Sequence, residues 1–151
     1  MTSSEPAQDS TERSDRPRAI VAGHGALPQG LVNAVDCISG CGSVFIALSN
    51  FGLAGSDIEG QLREKAAEHD IKVFFTDLPG GSATVAVRRM MRTDPSLVLI
   101  TGANLSTLLE FVFQPDAAPA DAARHAAEKG RATLVVAGDT GSPASEAPGN
   151  R

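Results

Sequence analysis

The sequence predicts an α/β fold, a doubly wound, mostly parallel sheet of four strands with a fifth strand at its C-terminal end. Three observations carry this expectation. Short β-branched and aromatic runs alternate with helical segments at intervals of about 25 residues, the rhythm of repeated right-handed βαβ crossovers. The strand-like runs are continuously apolar rather than alternating, as strands buried on both faces are. Glycine-containing loops directly follow the first, third and fourth of them.

The elements follow in order. RAIVAG is a short apolar run ending in glycine, and it predicts a first strand at about 18–22. LPQGLVNAVDCIS spaces Leu27, Leu31, Val35 and Ile38 by three or four, with Pro28 tolerated in the first turn, and predicts a first helix despite Gly30. SVFIALSNF (43–51) predicts the second strand. Ser56, three residues before Glu59, makes a capping box that opens a second helix at about 57–69. KVFFT (72–76) is the third strand, broken by DLPGGS before Ser82 caps a third helix through TVAVRRMMR.

SLVLITG (96–102) predicts the fourth strand and NLSTLLEFVF (104–113) the fourth helix, whose stripe Leu105, Leu108, Leu109 and Val112 is core. An Ala-rich fifth helix covers 116–130 with Gly130 as C-cap, and ATLVVAG (132–138) is the fifth strand. Residues 1–17 and 139–151 are polar and read as a disordered leader and tail around one domain at 18–138. The leader lacks the apolar centre of a secretion signal, and no apolar run reaches the ~20 residues a membrane helix needs. A cytoplasmic location is expected.

Composition excludes some functions. A net charge of −5, with six Phe and no Trp or Tyr, leaves neither a basic face nor stacking platforms for nucleic acid. Cys37 and Cys41 stand in a C-x₃-C arrangement that lacks redox spacing and further ligands, so they read as reduced, small apolar residues. No metal or organic cofactor is implied.

In open α/β sheets the crevice lies beyond the carboxyl ends of the strands, where strand order reverses. Those positions hold Gly23-His24-Gly25, Asp77 with Gly80-Gly81-Ser82, and Gly102 with Asn104. A neutral imidazole is both nucleophile and leaving group near neutral pH, which suits accepting and returning a phosphoryl group. Asp77 would hold one ring N–H so that the other nitrogen attacks. Gly80, Gly81 and Ser82 would offer donors at a helix start to the new dianion. Glycines on both sides of His24 would admit a partner's histidine without a Cβ clash, and Gly25 joins Gly80, Gly81 and Ser82 in the candidate phosphoryl-binding set.

GHGALPQGL, FFTDLPGGSATVA and ITGANLSTLLE resemble the three motifs of the mannose-family enzyme IIA components of the bacterial phosphoenolpyruvate:sugar phosphotransferase system, over about residues 18–137. The resemblance implies that His24 takes a phosphoryl group from the histidine-containing phosphocarrier protein and passes it to enzyme IIB, with Asp77 orienting it and Ser82 contacting the phosphate. It implies indirect work with a membrane permease, and a homodimer in which the last strand, Thr133–Ala137, crosses to the other subunit. Two departures stand out. Ala83 replaces the family's usual proline, and the tail is too short for a IIB domain, so IIB is expected as a separate chain.

Plainer readings apply elsewhere. His69 reads as a dipole partner at a helix end, His125 as a solvated helix residue, and Arg88, Arg89 and Arg92 as a solvated basic face. A signalling module whose phosphorylation state is read by a transcription regulator or kinase would use the same His24 chemistry. A hydrolase triad of Ser82, His24 and Asp77 is weaker because GGSAT lacks the G-x-S-x-G elbow. A receiver domain is weaker still, since no acidic pair for Mg²⁺ follows the first strand.

Overall fold

The computed structural model of the protein describes residues 16–138. The expected tail, and all of the expected leader except Arg16 and Pro17, lie outside the described residues. The chain runs β1 (Ala19–Gly23), α1 (Leu27–Ser39), a 3₁₀ turn (Gly42–Val44), β2 (Phe45–Ser49), α2 (Gly55–His69), β3 (Val73–Thr76), α3 (Ser82–Thr93), β4 (Val98–Thr101), α4 (Leu105–Val112) and α5 (Pro119–Ala132). The four strands form one sheet in the order β2-β1-β3-β4, every pair parallel. Strand order therefore reverses at β1, which sends the chain first to β2 and then back across to β3.

Strand alternation divides the core in two. Ala19, Val21, Phe45, Val73 and Phe75 face α1, α4 and α5. Ile20, Ala22, Leu48 and Phe74 face α2 and α3. Phe45, Phe75 and Phe111 meet with ring centroids 5.2 to 5.9 Å apart and anchor the first layer. β1 and β3 are buried throughout, as their unbroken apolar runs require, while β4 is half-buried at the sheet edge. Among the described residues no helix is long and apolar enough to cross a membrane.

Several local expectations are corrected. On α1 the buried residues are Pro28, Val32 and Val35, whereas Leu27 and Ile38 face outward, because the helix is sandwiched along a line one residue round from the expected stripe. Neither Ser56 nor Ser82 is an N-cap: Ala54 and Gly81 hold those places and make no side-chain cap bond. Gly130 is not a C-cap either. α5 runs two residues past it, and a β-carbon at Gly130 would collide with the Thr107 hydroxyl and lie 3.0 Å from its Cα. This glycine permits close contact of α4 and α5.

Because α5 continues to Ala132, the chain leaves it at Thr133, whose hydroxyl donates to Gly130 O at 2.7 Å. Residues 134–137 of the expected fifth strand have no strand partner among the described residues. Leu134, Val135 and Val136 are 88, 75 and 88% exposed, so a single subunit offers this apolar run no surface.

Candidate active site

Parallel pairing of β1 with β3 builds the site. Ala22 and Thr76 are register partners, so Gly23-His24 and Asp77 leave the sheet side by side. The Asp77 Oδ2 accepts both the His24 backbone N–H at 2.9 Å and a bond from ring Nδ1 at 2.8 Å. A carboxylate has no proton to give, so Nδ1 carries the hydrogen and Nε2 keeps its lone pair. The His24 side chain is 52% exposed and that of Asp77 only 9%. A largely covered carboxylate thus holds an accessible imidazole.

Burial alone would raise the Asp77 pKa, but the backbone N–H, the ring N–H and the ring charge of His24 outweigh it and leave the group below the ordinary carboxylate value. The carboxylate is therefore ionised near neutral pH. A β-carbon on Gly23 would lie 2.6 Å from Asp77 Cγ, so Gly23 makes room for the acid. Sequence reasoning assigns this glycine to partner approach; its tighter constraint is internal. Gly25 has φ +56°, the left-handed turn that carries the chain from His24 into α1, with open space around it.

The loop after β3 closes the other side. A β-carbon on Gly81 would lie 3.2 Å from His24 Cε1, the ring atom bonded to both nitrogens, so Nε2 is one bond from the edge facing the start of α3. The Gly81 N–H donates to Leu78 O at 3.1 Å, which corrects its expected availability as a phosphoryl donor. The amides of the first turn of α3, beginning at Ser82, have no intrahelical partner and sit at the positive end of the helix dipole.

Ser82 is held by a residue that sequence reasoning does not single out. Asn50, the first residue after β2, donates from Nδ2 to Ser82 Oγ at 3.0 Å, while its own N–H donates to Gly23 O at 2.9 Å. Position directly beyond a strand at the same sheet end was the available signal. Beneath the loop, the buried Thr84 hydroxyl lies 2.5 Å from Leu78 O, 2.7 Å from Thr76 Oγ1 and 3.4 Å from Thr101 Oγ1, tying α3 to β3 and β4. Threonines in buried elements give no functional signature in sequence. Asn104 caps α4, its Oδ1 accepting the Thr107 N–H at 2.9 Å and the Thr107 hydroxyl at 2.8 Å.

The remaining candidates lie apart from this cluster. Cys37 and Cys41 are free thiols, exposed and half-buried respectively. His69 Nε2 is 3.7 Å from Glu68, and His125 Nε2 is 3.6 Å from Glu110. Arg89 reaches Glu59 at 4.0 Å, beside the Arg63–Glu59 pair at 2.8 Å.

Comparison with known proteins gives the geometry a family. Residues 18–128 match the EIIA-man family model, described as PTS system fructose IIA component. No relative among curated proteins matches the chain. Among solved structures, the mannose/sorbose specific IIA subunit of the phosphotransferase system from Enterococcus faecalis superposes with TM-score 0.69 at 18% identity, covering 83% of this chain and 97% of that one. The phosphotransferase system component EIIA from Streptococcus agalactiae gives 0.65 at 21% identity, covering 75% and 93%. The IIA protein associated with the fucose utilization operon of Streptococcus pneumoniae gives 0.65 at 18% identity, covering 80% and 93%. With its family match spanning the whole sheet and most of α5, the chain belongs to the mannose-type enzyme IIA components of the sugar phosphotransferase system.

Proposed function

We propose that this chain is a cytoplasmic phosphoryl carrier that accepts a phosphoryl group on His24 from the histidine-containing phosphocarrier protein and passes it to a separate enzyme IIB during sugar uptake. One observation carries the reading: the half-exposed imidazole is bonded through Nδ1 to the largely covered Asp77 carboxylate at 2.8 Å.

In the step, the Nε2 lone pair of His24 attacks phosphorus as the bond from phosphorus to the donor's ring nitrogen breaks. The electron pair leaves with the donor ring, which keeps the proton on its other nitrogen. No proton has to move, because the Nδ1 hydrogen of His24 stays on its ring and points at Asp77 throughout. The new phosphoimidazole is cationic on its ring, and the Asp77 carboxylate lies against that charge. The phosphoryl oxygens meet the dipole of α3, its first-turn amides beginning at Ser82, and the Ser82 hydroxyl oriented by Asn50. Gly80 and Gly25 let the backbone approach without side chains in the way. Transfer to IIB is the same reaction in reverse.

The exposed run Leu134–Val136 supports a homodimer in which this segment pairs with the partner's sheet edge. Incubation with phosphoenolpyruvate, enzyme I and the phosphocarrier, read by intact mass, tests the carrier role. Wild type gains one acid-labile phosphoryl group and His24→Ala gains none; a modified His24→Ala protein would overturn the assignment.

A further inference from the structure

Gly23 and Ser49 are register partners, so Asn50 leaves β2 beside His24 on β1, as Asp77 leaves β3 on the other side. The histidine therefore stands between a carboxylate and an amide. Asp77 holds the ring, whereas Asn50 reaches past it to the start of α3. Because β1 lies between β2 and β3, the loop that leaves β3 at Asp77 crosses the end of β1 before Ser82 meets Asn50.

Asn50 is itself fixed. Its N–H donates to Gly23 O at 2.9 Å, and its carbonyl accepts the Leu53 N–H at 3.1 Å, closing a turn in which Gly52 takes φ +70°. The Ser49 hydroxyl accepts the Phe51 N–H at 3.1 Å in the same turn. The two bonds of Asn50 within the backbone do not involve its side chain, so the amide can be changed without unfastening the loop.

The effect of that amide on Ser82 follows from counting donors. A hydroxyl has one proton and two lone pairs, and an amide NH₂ can only donate. With Asn50 Nδ2 at 3.0 Å from Oγ, Ser82 is the acceptor and keeps its own proton to give. Among the described residues that proton has no acceptor. Ser82 directly follows Gly81, whose β-carbon position lies 3.2 Å from His24 Cε1, so the free donor belongs to the residue next to the imidazole edge that carries Nε2.

We propose that Asn50 is a positioning residue for the phosphoryl group: by donating to Ser82 it makes the serine hydroxyl a donor toward the phosphoryl oxygens, and so sets how firmly the phosphorylated protein holds that group. The inference rests on the carrier reading. On phosphorylation of His24 the hydroxyl faces oxygens that share about two negative charges. A hydrogen bond to an ionised acceptor is about twice as strong as a neutral one, and bonds in a chain polarise one another. The Asn50–Ser82 pair thus favours the phosphorylated state over the free one, an effect that belongs to the equilibrium of transfer and not to the stability of the fold.

The test is the equilibrium constant for phosphoryl exchange with the phosphocarrier protein, read by intact mass of both proteins once enzyme I and phosphoenolpyruvate are removed. Asn50→Ala is expected to shift it toward the phosphocarrier by about three- to tenfold, and Ser82→Ala by about tenfold. Adding Asn50→Ala to Ser82→Ala should change it by less than about twofold, since the amide then has no hydroxyl to direct. A residue that served only the fold would act equally in both backgrounds. Asn50→Asp keeps the shape but makes residue 50 an acceptor, which engages the serine proton, so its shift should be at least as large as that of Asn50→Ala. Where Asn50→Ala lowers the melting temperature, Asn50→Asp, which fills the same volume, gives the reading. A wild-type equilibrium in Asn50→Asp, or full additivity in the double variant, overturns the role of Asn50 and leaves the carrier intact. Failure of wild-type His24 to take the group from the phosphocarrier overturns both.

Discussion

The space that Gly23 leaves empty is the space Asp77 needs: a β-carbon there would come within 2.6 Å of the carboxylate carbon and of the oxygen that holds His24. β1 and β3 are adjacent in the sheet, and their parallel register sets the residue before the histidine against the aspartate. The orienting bond thus depends on a glycine with no polar group of its own.

Gly23→Ala is expected to push Asp77 off the imidazole while the sheet still forms. Phosphorylation of His24 should slow by about tenfold to a hundredfold, with an accompanying destabilisation of about 1–3 kcal/mol from overpacking. Quenched transfer assays and chemical denaturation on the same variant check both; wild-type kinetics would show that Asp77 tolerates displacement.

Asp77→Ala is expected to fold and to lose phosphorylation rate by about a hundredfold or more, since the imidazole loses both its fixed tautomer and its counter-charge. Asp77→Asn should be similarly impaired, because an amide lacks the charge that balances a cationic phosphoimidazole. Rapid-quench transfer kinetics measure this, and an unaltered rate would remove the orienting role. Nuclear magnetic resonance of the ring nitrogens should show wild type with Nδ1–H and the variants with mixed tautomers.

Acid stability should report Asp94, far from the site. Its bonds from the Ser96 hydroxyl and Lys72 lower its pKa from 3.8 to about 2. A carboxylate with a depressed folded-state value stabilises the protein above its unfolded value and loses that contribution as pH falls through the folded one. Wild type should therefore lose stability from about pH 4 down to about pH 2 more steeply than Asp94→Asn. Acid titrations followed by circular dichroism compare them, and coincident curves would refute the assignment. Phosphorylation at neutral pH should be the same in both.

Gly130→Ala tests the α4–α5 contact. In an ordinary helix interior this change stabilises by up to about 1 kcal/mol, but here the added methyl meets Thr107 and the expected result is a net loss of about 1–3 kcal/mol. Adding Thr107→Ala should recover part of it by removing the hydroxyl. Calorimetric melting of the single and double variants measures the coupling.

The α/β class, the four strands and the five helices were legible because unbroken apolar runs can be buried only as central parallel strands, and helical periodicity between them leaves few alternatives. His24 and Asp77 were legible as residues standing just beyond strand ends. Ser82 was placed at the start of α3, yet its expected cap bond is absent and Asn50 binds it instead, a contact across 32 positions of sequence. The fifth helix was found, but its end was misplaced, since Gly130 is a common helix terminator until the neighbouring Thr107 explains it.

Local chemistry in the chain determined which segments become strands and helices and which loops carry reactive groups, because those properties depend on neighbours within a few residues. Only the tertiary structure decided that Gly23 serves Asp77, that Gly81 faces the imidazole and that the Gly81 amide closes its own loop. These are distances between segments that the sheet brings together, and no local pattern encodes a distance across two strands.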